Sequence, residues 1–166
     1  MMQQAQIQVL DTIDGKSILA TRAAFEKVGH DQNAKMYSVR LFEEKDGTIV
    51  IAFALNNDGV PVVFVRNGMV LSPPQVKLIM THSKQTDALH AGHLPVILAA
   101  LPIFEQRKMN LADYRITLFQ KNDSYVVTFT DKDSQSGGRG NPGKRLGFEV
   151  EFGVADLRVL NSHFIR

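Results

Sequence analysis

Two stretches of the chain decide its fold, because each resembles the other. The first joins MYSVRLF (residues 36–42) to IVIAF (49–53), and the second joins DYRITLF (113–119) to YVVTF (125–129). In each stretch, two runs of alternating apolar and polar residues flank a turn, which predicts a hairpin of antiparallel strands. An amphipathic segment that contains Phe-Glu precedes each hairpin and predicts a short helix. Self-similarity at a nearly constant separation is typical of an internal repeat.

Seven positions are identical between the two stretches: Phe25/Phe104, Glu26/Glu105, Tyr37/Tyr114, Leu41/Leu118, Phe42/Phe119, Val50/Val126 and Phe53/Phe129. The small differences in length fall at predicted loops, which tolerate insertions at little cost. The alternative is that two helix-plus-hairpin segments share only a binary pattern. The common motif Tyr-x-(Val/Ile)-x-Leu-Phe favours duplication.

The fold class that follows is α+β, with tandem units that each combine a helix and an antiparallel sheet. We predict repeat units at about 17–71 and 94–166, joined by 72–93 and packed as one compact domain. Within the joint, residues 76–80 are compatible with either a fourth strand or a single helical turn. The predicted helices and strands are these: a strand at 6–10, a helix at 18–28 capped by Ser17, strands at 36–42, 48–55 and 60–66, a helix at 94–108 that Pro102 kinks or splits, and strands at 114–120, 125–131, 146–152 and 157–165.

The order of elements in the second half, one helix followed by four strands, resembles small cystatin-like and NTF2-like α+β proteins. The closing hairpin of GFEVE (147–151) and DLRVL (156–160) is part of that resemblance. It implies a helix lying across a curled antiparallel sheet. In a pocket of the NTF2-like kind, a tyrosine can serve as an acid or as an oxyanion donor, and such a pocket in this chain would contain Tyr114 or Asp113. The other interpretation is that Tyr114 packs beneath the helix, as its counterpart Tyr37 would.

Composition narrows the class of protein. The 166 residues suffice for one domain or two very small ones, and 44% of them are hydrophobic. There is no cysteine, which excludes disulfides and thiolate metal sites and suits a reducing cytoplasm, the location that we expect. A net charge of +2 does not indicate a nucleic-acid partner. Residues 1–10 do not read as a signal peptide, and no apolar run has the length of a membrane span, so no membrane association is expected.

The segment GRGNPGK (138–144) has the glycine and lysine spacing of a phosphate-binding loop. Arg145 stands where that loop needs Ser or Thr, and a predicted strand follows instead of a helix, so nucleotide binding is not expected. A weaker hypothesis remains, in which this enlarged loop binds an anion or an acidic partner surface through Arg139, Lys144 and Arg145. The alternative is a surface hairpin that tolerated an insertion.

Three histidines, His82, His90 and His93, lie within the predicted joint, and Asp87 is a possible further ligand. We interpret them as solvated side chains of a connector, so the sequence predicts no metal site and no cofactor.

Function is predicted largely by elimination. The sequence contains no catalytic constellation, so we expect a non-enzymatic binding or interaction protein whose partner is another protein or a second copy. The alternative is a small-molecule enzyme or ligand carrier with an NTF2-like pocket between helix and sheet.

Overall fold

The computed structural model describes residues 7–28, 37–55, 61–133 and 145–165. They form three α-helices and two five-stranded antiparallel sheets, which confirms the α+β class. None of these helices has the length and apolar composition needed to cross a membrane.

The elements follow one another in this order: β1 (Ile7–Asp14), α1 (Gly15–Val28), β2 (Tyr37–Glu43), β3 (Ile49–Leu55), β4 (Pro61–Arg66), β5 (Met69–Val70), α2 (Pro73–His82), β6 (Lys84–Leu89), α3 (Leu94–Glu105), a 3-10 turn (Leu111–Asp113), β7 (Tyr114–Lys121), β8 (Ser124–Asp131), β9 (Gly147–Gly153) and β10 (Val159–Ile165).

Most predicted elements are present, and the differences have local causes. α3 runs without a break through Pro102, so the predicted split is wrong, and the carbonyl of Pro102 still accepts from the N–H of Gln106 at 3.2 Å. The helix ends at Glu105, before the predicted Lys108, whose positive φ of 59° does not fit a helix. α1 begins at Gly15, two residues before the predicted cap.

Unit 1 consists of residues 1–16 and 96–166 and contains sheet A, with the strand order β1-β7-β8-β9-β10. α3 covers one face of this sheet. The ring of Phe104 stacks on Phe129 at 4.3 Å and meets Tyr114 edge-on at 5.0 Å. Buried residues on the same face include Ile13, Ile116, Phe129 and Phe148, which the register places in one row.

Unit 2 consists of residues 17–95 and contains sheet B, with the strand order β5-β4-β3-β2-β6. α1 covers one face, where the rings of Phe25, Tyr37 and Phe53 lie 6.0 Å from one another. α2 covers the opposite face, since Ile79 and the partly buried Val76 pack into a second apolar cluster. The strand residues of that cluster are Phe42, Val50, Ala52 and Phe64.

The segment at 72–93 is more than a joint, because it supplies α2 and β6 to unit 2. β6 pairs with β2, and β1 pairs with β7. Sheet A therefore takes its edge strand β1 from the segment just before α1, which covers sheet B. Sheet B takes its edge strand β6 from the segment just before α3, which covers sheet A. The predicted repeat units did not include either pairing.

Candidate binding sites

Arg145 lies at the base of the predicted anion-binding loop and forms ion pairs with three carboxylates. Its Nε is 3.3 Å from Asp113 Oδ2, and its Nη1 is 3.1 Å from Asp131 Oδ1 and 3.4 Å from Asp133 Oδ2. The structure thus brings Arg145 and Asp113 together, although the sequence assigned them to different sites. Because three carboxylates surround one guanidinium, this cluster disfavours an anionic ligand at Arg145.

Asp131 is the central acceptor of this carboxylate cluster, and its side chain is fully buried. It accepts hydrogen bonds from the backbone N–H groups of Asp133 at 3.0 Å and Arg145 at 3.2 Å. The Asp133 N–H bond is the main cause that holds the pKa of Asp131 below the ordinary value of 3.8, and bonds from Arg145 contribute. Asp131 therefore holds the residues on both sides of segment 134–144, which is a structural role.

Tyr114 belongs to the core of unit 1. It is 1% exposed, and its hydroxyl donates to the carbonyl of Leu146 at 2.9 Å, with the sulfur of Met109 at 3.1 Å. Burial raises the pKa of Tyr114 above 10.0, and the nearby charge of Asp131 adds to the effect. Proton transfer at neutral pH needs a pKa nearer to 7, so this geometry favours the packing interpretation of Tyr114 over the catalytic one.

Arg139 and Lys144, the other two residues of the predicted anion-binding loop, lie outside the described residues. Binding by this loop stays a prediction.

A cavity of about 400 Å3 lies in unit 2, between α2 and the turn that follows β2. The residues that α2 contributes are Gln75, Leu78, Ile79 and His82. Their spacing of three, four and seven residues places them on one face of the helix. Sequence reasoning did not identify this site, because it left residues 76–80 open between a strand and a single helical turn.

A start signal for α2 is nevertheless present in the sequence. Ser72 and Gln75 have the spacing of a capping box, and the Gln75 side chain accepts from the Ser72 N–H at 2.9 Å. Pro73 and Pro74 fit the first turn, where a helix needs no N–H donor.

The opposite wall of the cavity is charged. The residues that line it are Glu44, Lys45, Asp46 and Arg66. Arg66 Nη1 contacts both carboxylate oxygens of Glu44, at 3.1 and 3.2 Å. The Thr48 N–H donates to Asp46 at 2.9 Å and lowers the pKa of Asp46, because this bond favours the ionised carboxylate. The wall thus presents both signs of charge.

Exposed apolar side chains lie in the cavity and on the same face of sheet B. Leu78 is 60% exposed although it lines the cavity. Met69 is also exposed, and the β4–β5 register pairs it with Arg66, so both lie on the face of sheet B that α2 covers. Apolar groups in water next to a concave charged surface are a common feature of binding sites.

Of the three histidines, His82 and His90 are exposed. His93 is half-buried, and its ring meets that of His90 edge-on at 6.0 Å.

Comparisons of this chain with protein-family models, with curated proteins and with solved structures found no match.

Proposed function

We propose that this chain is a non-enzymatic binding protein that takes a segment of a protein partner at the α2 cavity of unit 2. The observation that carries the proposal is the cavity of about 400 Å3 between a helix wall that exposes Leu78 and a charged wall. Met69 is exposed on the same face of sheet B. An apolar anchor in a pocket, surrounded by polar contacts, is how proteins obtain both affinity and specificity from a small surface.

The lining defines the chemistry of the partner. Leu78 and Ile79 offer a surface for one apolar side chain. Lys45 and Asp46 at the rim attract flanking charges of opposite sign. The matching segment carries an apolar residue with an acidic residue on one side and a basic residue on the other.

A hydrolytic role for the cavity has less support. Ser83 and His82 both line it, but the part of the chain that the structure describes shows no hydrogen bond between the Ser83 hydroxyl and His82. Activation of a serine needs such a contact with a base. The alternative of an NTF2-like pocket beside Tyr114 and Asp113 stays a hypothesis, since those side chains are engaged in packing and in an ion pair.

The test is a selection of phage-displayed random peptides on the immobilised full chain. We expect selected peptides to share an apolar residue between opposite charges, and Leu78→Glu to weaken their binding at least tenfold. Met80→Glu is the matched control, because Met80 is 52% exposed on the same helix and does not line the cavity. Equal binding to wild type and Leu78→Glu, with both proteins folded by circular dichroism, would contradict the proposal.

We also infer that the two units are copies of one duplicated helix-and-sheet unit. Phe25, Tyr37 and Phe53 form a ring cluster in unit 2, and their counterparts Phe104, Tyr114 and Phe129 pack together in unit 1. The registers agree as well, since Val39 pairs with Phe53 and Ile116 pairs with Phe129. In this proposal each copy begins with the strand before its helix, β1 or β6, and the copies exchange these strands. The cystatin-like or NTF2-like resemblance stays a prediction.

A further inference from the structure

β10 is an edge strand with an unusual composition. In the described part of sheet A it pairs with β9 on one side only. Its sequence, VLNSHFI (159–165), contains no proline and no Asp, Glu, Lys or Arg. Val159, Leu160 and Phe164 are 47%, 48% and 39% exposed. Natural edge strands usually carry a feature that prevents pairing with another chain.

The other edge strands of the described sheets do carry such features. β5 is only two residues long, β1 contains Asp11 and Asp14, and β6 contains Lys84 and Asp87. β10 has one such feature, a bulge at Leu160, which has no partner in β9. Because this bulge is near the start of the strand, residues 161–165 keep a regular ladder with β9.

The sequence of β10 is suited to antiparallel pairing with the β10 of a second copy, because its apolar residues lie at both ends and its polar residues in the middle. An antiparallel pair centred on Ser162 places Asn161 opposite His163, and it brings the apolar residues 159–160 of one strand beside the apolar residues 164–165 of the other. Apolar residues then meet apolar residues, and polar residues meet polar ones, which is the arrangement that stabilises cross-strand pairs. The same operation on β1 sets Ile7 against Asp14, and on β6 it sets Lys84 against Leu89. Neither of those strands matches itself.

We propose that β10 is a dimerisation edge, where a second copy of this chain adds its own β10 antiparallel about Ser162. A two-fold axis makes this contact isologous and closed, so it ends at a dimer. Sheet A of one copy and sheet A of the other then form one continuous sheet, and the backbone groups of both β10 edges find hydrogen-bond partners.

Unit 1 holds this edge in place for pairing. The ring of Phe164 meets Phe148 edge-on at 5.4 Å, and the guanidinium of Arg107 lies 5.2 Å from the centre of Phe148 and 5.6 Å from that of Phe164. These contacts fix β10 before association, which reduces the ordering cost of binding.

The first test combines Asn161→Lys with His163→Lys and measures sedimentation over a range of concentrations. In the dimer, the two ammonium groups face each other in both central pairs, so we expect the dimer dissociation constant to rise at least tenfold. Within the chain these positions lie opposite Glu151 and Glu149, so the same change favours folding. The matched control is Gln8→Lys with Gln85→Lys, which adds the same lysines to β1 and β6 and leaves the dissociation constant unchanged.

The second test measures the register. Because the chain has no cysteine, Asn161→Cys and His163→Cys variants report only on the introduced thiols. When the two variants are mixed, the two cysteines lie directly opposite with their Cβ atoms about 4.5–5.5 Å apart, and oxidation gives a disulfide dimer. Either variant alone places its cysteines on a diagonal, about 7–8 Å apart, so it oxidises far more slowly.

Two results would overturn the proposal. The first is a wild-type chain that sediments as a monomer at its highest soluble concentration. The second is a dimer whose dissociation constant the lysine pair on β10 leaves unchanged, because it would assign association to another surface. Neither result bears on peptide binding at the α2 cavity, which is on a different unit.

Discussion

At the residue scale, one buried carboxylate dominates the electrostatics at the base of segment 134–144. Asp131 accepts two backbone N–H bonds and an Arg145 guanidinium bond, all of which favour its ionised form. Its pKa in the folded chain therefore lies below that in the unfolded chain. Such a group stabilises the fold fully at pH values above its unfolded pKa, and the contribution is lost as the pH falls through the folded pKa.

The pH dependence of stability tests this role. We expect Asp131→Asn to lower the free energy of unfolding at pH 7, because the amide is neutral and gives up the charge-assisted bonds. The difference from wild type should shrink as the pH falls below 3.8 and through the lower pKa of the folded chain, where the buried wild-type carboxylate becomes protonated too. Urea unfolding of both proteins between neutral and acidic pH measures this difference. A difference that stays constant with pH would contradict the assignment.

A second residue-scale prediction concerns Gly15. A Cβ at this position would lie 1.9 Å from the carbonyl oxygen of Leu111, so the backbone must move to admit alanine. We expect Gly15→Ala to cost about 1–3 kcal/mol of unfolding free energy, as overpacking does. Gly153→Ala is the control, since the nearest atom is a side-chain oxygen of Asp156 at 3.3 Å, which can move. Similar losses for both variants in urea unfolding would show that close approach at Gly15 is not the cause.

At the scale of elements, α1 and α3 each place one phenylalanine against a tyrosine and a phenylalanine of the underlying sheet. The two phenylalanines differ in burial, since Phe104 is fully buried and Phe25 is half-buried. The free energy gained by packing scales with the apolar area removed from water, so α3 depends more on its ring than α1 does.

Truncation of these rings measures the dependence. We expect Phe104→Ala to lower the stability of unit 1 by about 3–5 kcal/mol, through lost burial and a remaining cavity. Phe25→Ala should lower that of unit 2 by less. Hydrogen exchange read separately on β7–β8 and on β2–β3 assigns each loss to its own sheet. An equal or larger effect of Phe25→Ala would contradict the argument from burial.

At the scale of the whole molecule, the connectivity differs from the order of the sequence. β1 comes directly before α1, yet it belongs to sheet A, whose other strands all come from the second half of the chain. Ile13 of β1 is fully buried and pairs with Ile116 of β7. The stability of unit 1 therefore depends on residues far away in the sequence.

Substitution in β1 tests this connectivity. We expect Ile13→Ala to cost about 2–5 kcal/mol, the usual range for truncation of a buried isoleucine. Hydrogen exchange should rise in β7, residues 114–121, and stay unchanged in β2 and β3, although those strands are nearer in sequence. Faster exchange confined to β2 and β3 would show that β1 belongs to unit 2 in solution.

The sequence predicted those elements whose pattern is contained in a few consecutive residues. The strands β7 and β8 were predicted to within one residue, because their alternating residues report directly which side of the sheet is buried. The sequence left residues 76–80 of α2 open between a strand and one helical turn, because ten residues that begin with two prolines and place one residue in the core show only a weak helical period. The cavity was therefore not predicted. The ion pair between Arg145 and Asp131 was not predicted either, because it joins the end of β8 to a residue outside the strands, and periodicity gives no information on such a contact.

The sequence alone determined the α+β class and the bounds of most elements, since both follow from local periodicity and turn residues. It also determined the residues by which β10 can pair with a second copy of itself, because they are the seven consecutive residues 159–165. Only the tertiary structure decided that β1 pairs with β7 and β6 with β2, that α2 covers a second face of sheet B, and that Arg145 is surrounded by carboxylates. These features are contacts between distant segments, and their energies depend on which partners the fold brings together, which no local pattern encodes.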